Sequence, residues 1–96
     1  MSSYRLSDRA DEELFDILLY SVEQFGLHQA TTYRSGLENC FSLLADNPRL
    51  GRLAEQIGKG VRRHEHGSHV ILYEEADEGV TILGLVHKRN QRNLKV

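Results

Sequence analysis

A single cysteine, Cys40, leaves this 96-residue chain without an internal disulfide or a multi-cysteine zinc site. No apolar run approaches the roughly 20 residues that a membrane-spanning helix needs. The opening Met1-Ser2-Ser3-Tyr4-Arg5 has no apolar signal segment, so a cytoplasmic protein is expected. There is no internal repeat and no low-complexity stretch. Gly58-Lys59-Gly60 leads into a strand pattern rather than a helix, which excludes a glycine-rich phosphate loop. What remains, 40% hydrophobic and 27% charged, has the balance of one globular domain over residues 1–96 with a small core.

The net charge of −2 hides an asymmetry. Residues 1–48 carry three basic side chains against eight acidic ones, and residues 49–96 carry nine against six. No acid follows Glu78, whereas Lys88, Arg89, Arg92 and Lys95 do. Such a tail suits an anionic partner, protein or nucleic acid; a merely solvated tail is the alternative.

Two helical patterns come first. Ser7 or Asp8 can cap a helix whose first turn holds Asp11, Glu12 and Glu13, placed to suit the positive helix end. Ala10, Leu14, Ile17, Leu18, Val22 and Phe25 form its apolar stripe, and Gly26 suits the closing position. A second stripe runs through Ala30, Tyr33, Leu37, Cys40, Phe41 and Leu44 and stops at Asn47-Pro48. The short connection predicts an antiparallel hairpin, with Cys40 as ordinary core. From Val61 the period becomes that of strands, at 61–66, 69–74 and 80–87, with Tyr4–Leu6 as a possible fourth. The expected fold is therefore α+β, a helical hairpin on one face of a three- to four-stranded, mainly antiparallel sheet.

The last two strands are apolar on both sides. Strict alternation places Ile82 and Val86 on one face and Leu83 and Leu85 on the other, and residues 70–73 are apolar throughout. One helical hairpin covers one face, so the second is expected to expose an apolar groove for a partner. The competing expectation is that residues 48–60 fold over it. Ile71, Leu72, Ile82, Leu83 and Leu85 are candidate groove residues, and Leu19 and Tyr20, off the centre of the first stripe, are candidate helpers.

Chemical candidates are few. His64, His66 and His69 share a hairpin face if Gly67-Ser68 is a two-residue turn, but lack an evident second shell; no metal or cofactor is assigned. Ser68 and Cys40 have no base paired with them. Arg62, Arg63, His64, His87, Lys88 and Arg89 could serve phosphodiester cleavage, supplying charge and proton transfer; surface charge beside a groove is the plainer account.

Four segments in order resemble a known family: Leu43-Leu44-Ala45-Asp46-Asn47-Pro48-Arg49-Leu50-Gly51-Arg52, Gly60-Val61-Arg62-Arg63, Gly67-Ser68-His69-Val70-Ile71-Leu72-Tyr73, and Ile82-Leu83 with Val86-His87-Lys88-Arg89. Together they look like the ParE branch of the RelE/ParE toxin superfamily. The resemblance implies a bacterial type II toxin that poisons DNA gyrase without turning over a substrate. It also implies neutralisation by a ParD-like antitoxin in a heterotetramer or larger assembly, with DNA touched only through antitoxin or gyrase. Arg62, Arg63, His87, Lys88, Arg89, Arg92 and Lys95 would then face the target. Two positions depart from the family: Gly84 stands where arginine is usual, and Asn90-Gln91 where Met-Asp is usual. A RelE-like ribosome-dependent mRNA endonuclease is the alternative, against which the lack of a tyrosine after Tyr73 argues. A toxin fold that retains only its interaction role is a third.

Overall fold

The computed structural model describes residues 2–93. Its elements are β1 (Ser3–Leu6), α1 (Asp8–Phe25), α2 (Leu27–Asp46), β2 (Arg52–Leu53), β3 (Arg62–His66), β4 (His69–Ala76) and β5 (Gly79–His87), followed by a 3₁₀ segment over Lys88–Asn93. The five strands form one sheet in the order β1-β5-β4-β3-β2, with β1 parallel to β5 and the other pairs antiparallel. The α+β architecture is the expected one, with the lead strand present and one short edge strand, β2, added from the segment read as loop.

Ser7 caps α1: its side chain accepts the Ala10 N–H at 3.0 Å. The same hydroxyl donates to Leu83 O at 3.1 Å, and the Ser7 N–H donates to Ile82 O at 2.9 Å. The cap thus fixes the helix start against β5 and satisfies a terminal donor. The core face of α1 runs through Ala10, Leu14, Ile17 and Ser21, whereas Val22 and Phe25, expected in the stripe, are exposed. Four- and three-residue steps from Ala10 lead to Ser21, so the two apolar residues at the helix end fall on neighbouring flanks. The α2 stripe is as expected: Ala30, Leu37, Cys40, Phe41 and Leu44 are buried, with Tyr33 half-buried against them.

On the helix-covered face, Leu37, Phe41 and Leu44 meet Ile71, Tyr73, Val80, Ile82 and Leu85. The opposite face carries Val70 and Leu72, and these are covered by Ala54, Ile57 and Val61, with Leu83 and Val86 at the edge of the cluster. The expected open groove is therefore absent there: the segment after β2 folds over it. Ile71, Leu72, Ile82 and Leu85 are buried within the chain and line no open surface, and Leu83 is half-buried.

The facing of β5 also differs from strict alternation. Leu72 pairs with Gly84 but Tyr73 pairs with Ile82, leaving Leu83 as the extra residue of a bulge. That residue resets the period, so Ile82 and Leu85 share the helix face while Leu83 and Val86 share the other.

The roof over the second face is held by polar groups at its start. The Tyr73 hydroxyl accepts the Gly51 N–H and donates to Pro48 O, both at 2.8 Å. Arg62 Nη1 donates to Gly51 O at 2.6 Å. The phenol and guanidinium therefore anchor the backbone that leaves α2 and enters β2. The buried Ile57 side chain makes a direct test: Ile57→Ala should lower the unfolding free energy by about 2–4 kcal/mol. Exposed Leu53→Ala should change it by less than about 0.5 kcal/mol. Urea titration of both variants checks the difference.

Candidate functional site

Among the described residues, the basic side chains singled out from the sequence have different surroundings. Arg62 spends its guanidinium on the loop carbonyls of Gly51 and Arg49, at 2.6 and 3.5 Å. Arg63 is largely buried and lies 3.6 Å from Glu65. Lys88 reaches the same Glu65, also at 3.6 Å. His87 and Arg89 gather where β5 ends, level with His66, so Arg62 at the start of β3 lies four residue steps, about 13 Å, farther along the strand direction. The side chain of Arg92, and Lys95 altogether, lie outside the described residues.

His87 and Arg89 belong to an open cleft of about 610 Å³ between the helical hairpin and the strand ends. Asp16, Tyr20 and Phe25 of α1, Tyr33 of α2, His69 of β4 and Asn90 also line it. The β3–β4 turn positions His69. Gly67, at φ 54°, makes the two-residue turn that sets His66 opposite His69. A Cβ on Gly67 would stand 2.8 Å from the Tyr33 ring, so glycine also lets α2 approach.

Tyr33 ties these pieces together. Its hydroxyl donates to His66 O at 3.2 Å and lies 2.6 Å from His69 Nδ1. That hydroxyl has one proton to share between these two partners, so the His69 tautomer is set by which of them takes it. His69 pairs with His87 across the strands, their rings 5.2 Å apart and edge-on. His87 Nδ1 accepts the Arg89 N–H at 3.1 Å, so neutral His87 carries its proton on Nε2. Arg89 Nε lies 3.4 Å from the same nitrogen. The cleft therefore presents two imidazoles and a guanidinium.

Burial, with His87 and His66 as like-charged neighbours, pushes the His69 imidazole from 6.5 down to about 4. It stays neutral at pH 7. Among the described residues, no three His, Cys, Asp or Glu side chains form a group that could hold a metal ion. His66 and His69 do face each other across the turn, but Tyr33 occupies His69 Nδ1.

Exposed apolar side chains are scattered at Leu27, Leu43, Leu50 and Leu53, but on α1 they form a row. Phe15, Leu19 and Val22 are 66%, 49% and 40% exposed and lie four and three residues apart, one stripe on the flank away from the cleft. Leu19 was singled out from the sequence; its neighbours Phe15 and Val22 were not, although their spacing was legible. Tyr20, 53% exposed, turns to the cleft instead. At Gly84, an added Cβ would lie 3.2 Å from both Arg9 Cζ and Glu13 Oε1. Glu13 Oε1 accepts the Leu85 N–H at 2.9 Å and pairs with Arg9 at 3.3 Å. That pair occupies the space in which the arginine usual at this position would begin.

A family model described as the ParE toxin of the type II toxin–antitoxin system parDE matches residues 4–92. The chain belongs to the ParE toxin family. It is 36% identical to Toxin ParE1 of Caulobacter vibrioides over 88 residues, 92% of this chain and 91% of that protein. It is 33% identical to Toxin ParE1 of Mycobacterium tuberculosis over 89 residues, with 92% and 91% covered. In structure it resembles a chain of a chromosomal ParDE system from P. aeruginosa, with TM-score 0.74, 21% identity, and 91% and 96% of the two chains covered. It also resembles a chain of the RelBE2 toxin–antitoxin complex from Mycobacterium tuberculosis, with TM-score 0.58, 22% identity, and 91% and 98% covered. The protein is thus a type II toxin of the ParE family. Among the described residues, no helix is long and apolar enough to cross a membrane.

Neutral His69 favours the folded state over an unfolded chain whose histidine titrates near 6.5. Its contribution is complete above that pH and is lost as pH falls toward about 4, because the unfolded state binds the extra proton. Thermal melts from pH 7.5 to 4.5 should therefore show a larger fall in Tm for the wild type than for His69→Gln.

Proposed function

We propose that this ParE-family toxin poisons DNA gyrase without turning over a substrate and is silenced by a ParD-like antitoxin. The family match across residues 4–92 carries the reading. The use of Arg62 supports it: a cation bound to loop carbonyls is poorly placed to stabilise a phosphodiester transition state. Purified protein should inhibit gyrase supercoiling or increase gyrase-linked DNA cleavage. Inertness toward the host gyrase at large excess would overturn the proposal.

The antitoxin's place is the Phe15–Leu19–Val22 stripe rather than the sheet. An amphipathic segment laid there would cover three large side chains that stand exposed among the described residues, on an α1 that is itself rich in acid. The partner helix should accordingly carry basic residues beside its apolar face. The complex is expected to be a heterotetramer or larger. Leu19→Glu should keep the fold, weaken antitoxin binding at least tenfold, and make toxin–antitoxin co-expression growth-inhibiting where the unaltered pair is tolerated. Calorimetry and growth curves read the two effects.

The His69–His87–Arg89 cluster favours one second reading, a ribosome-dependent mRNA endonuclease, since it sets proton-carrying imidazoles beside a cation. Intact transcripts in a translating extract would remove it.

A further inference from the structure

The cleft between α1 and the end of β5 is not used by the antitoxin stripe, which lies on the opposite flank of the helix. We propose that this cleft binds one unstacked nucleotide of a single-stranded nucleic acid. The base lies against Tyr20 and Phe25, and the phosphate is held by Arg89 and His87 Nε2–H. This goes beyond the reading of gyrase as target, because it gives the toxin a direct nucleic-acid contact.

Size comes first. About 610 Å³ falls within the range of roughly 300–1,000 Å³ typical of small-ligand sites. Ring surface comes next. Tyr20 and Phe25 are 53% and 58% exposed, although both border a concavity in which rings could have packed together. A base offers two flat faces to such rings, and stacking tolerates any base.

The polar groups are divided in a way that suits a nucleotide. His87 Nδ1 is occupied by the Arg89 N–H, so the proton on Nε2 is fixed as a donor. Arg89 stands beside it with Nε 3.4 Å from His87 Nδ1, and together they make a local pair of donors for an anion. Asp16 and Gln29 also line the cleft and can accept from and pair with the donor edge of a base. An acidic peptide would bring negative charge to Asp16 as well as to Arg89. A nucleotide brings its charge to one end only. Lys88, next to Arg89 in the chain, adds a cation at the end of β5 that suits an adjoining phosphate.

The test is fluorescence anisotropy of labelled single-stranded DNA and RNA octamers with the purified full chain, in the absence of gyrase and antitoxin. Loss of gyrase inhibition and loss of nucleic-acid binding are then separate results. Saturable binding is expected, weakened about tenfold or more by Tyr20→Ala and by Arg89→Ala, and unchanged by Leu53→Ala on the far sheet edge. Competition by free nucleoside monophosphates would show that one nucleotide suffices; competition by oligonucleotides alone would show that flanking phosphates are needed. Either supports the site. The proposal is overturned if neither octamer binds a protein that circular dichroism shows to be folded, or if Tyr20→Ala binds as tightly as the wild type. Equal displacement by duplex DNA or by poly-glutamate would also overturn it, since either reports charge without a base pocket.

Discussion

Strands β4 and β5 are apolar on both faces, and a chain of 96 residues must hide both with one helical hairpin and little else. The hairpin takes one face. The other depends on the segment between β2 and β3, in which only Ala54, Ile57 and Val61 are available as cover. Fully burying a side chain such as Leu72 contributes about 1.5–3 kcal/mol, a sizeable share of the 5–15 kcal/mol typical of a whole domain. A short irregular segment can supply this only if its ends are fixed. Tyr73 and Arg62 fix one end through Pro48 and Gly51, and the Ala54 N–H to Val61 O bond of 2.8 Å closes the loop upon itself.

Holding the roof changes what the surface can do. Arg62 and Arg63 look like free cations in the sequence, yet the first holds backbone carbonyls and the second is packed beside Glu65. With the sheet closed on both sides, exposed apolar area moves to α1. There Phe15, Leu19 and Val22 project from a helix whose core needs are met by Ala10, Leu14, Ile17 and the small Ser21. A helix flank of this kind can be covered by a partner without any backbone hydrogen bond from that partner.

Much of this was legible in the residues and some was not, for local reasons. The α2 stripe reads directly from Ala30 to Leu44 because its members from Ala30 on are buried or half-buried along a single helix face. The α1 stripe fails at Val22 and Phe25 because two apolar flanks share one helix, and periodicity alone does not say which is covered. The turn at Gly67-Ser68 and the pairing of His66 with His69 follow from glycine's access to positive φ. The bulge at Leu83 left no such mark, since an extra apolar residue in an apolar run is silent until its partners are known; it reversed the expected facing of Leu85. Likewise Tyr33, read as core, could not be seen to reach His66 and His69 before the distance between α2 and the hairpin was known.

The cleft follows from a mismatch of strand lengths. β1 pairs with only Gly79 to Ile82, while β5 runs on to His87. Where β1 ends, the chain turns into α1, and side chains replace the missing strand: Ser7 takes Leu83 O, and Glu13 takes the Leu85 N–H. Arg9 steadies Glu13, and Gly84 leaves room for that pair. Farther along, α1 carries Asp16 and Tyr20 instead of another edge-capping group, and the space between helix and strand opens. An arginine at 84 would compete with Arg9 for Glu13 and disturb the cap on Leu85, two residues from His87. The departure from the family at Gly84 and the geometry of the cleft are in this sense one feature: a side chain too few on β5 lets α1 lie close at Glu13, and the cleft begins where that close contact ends.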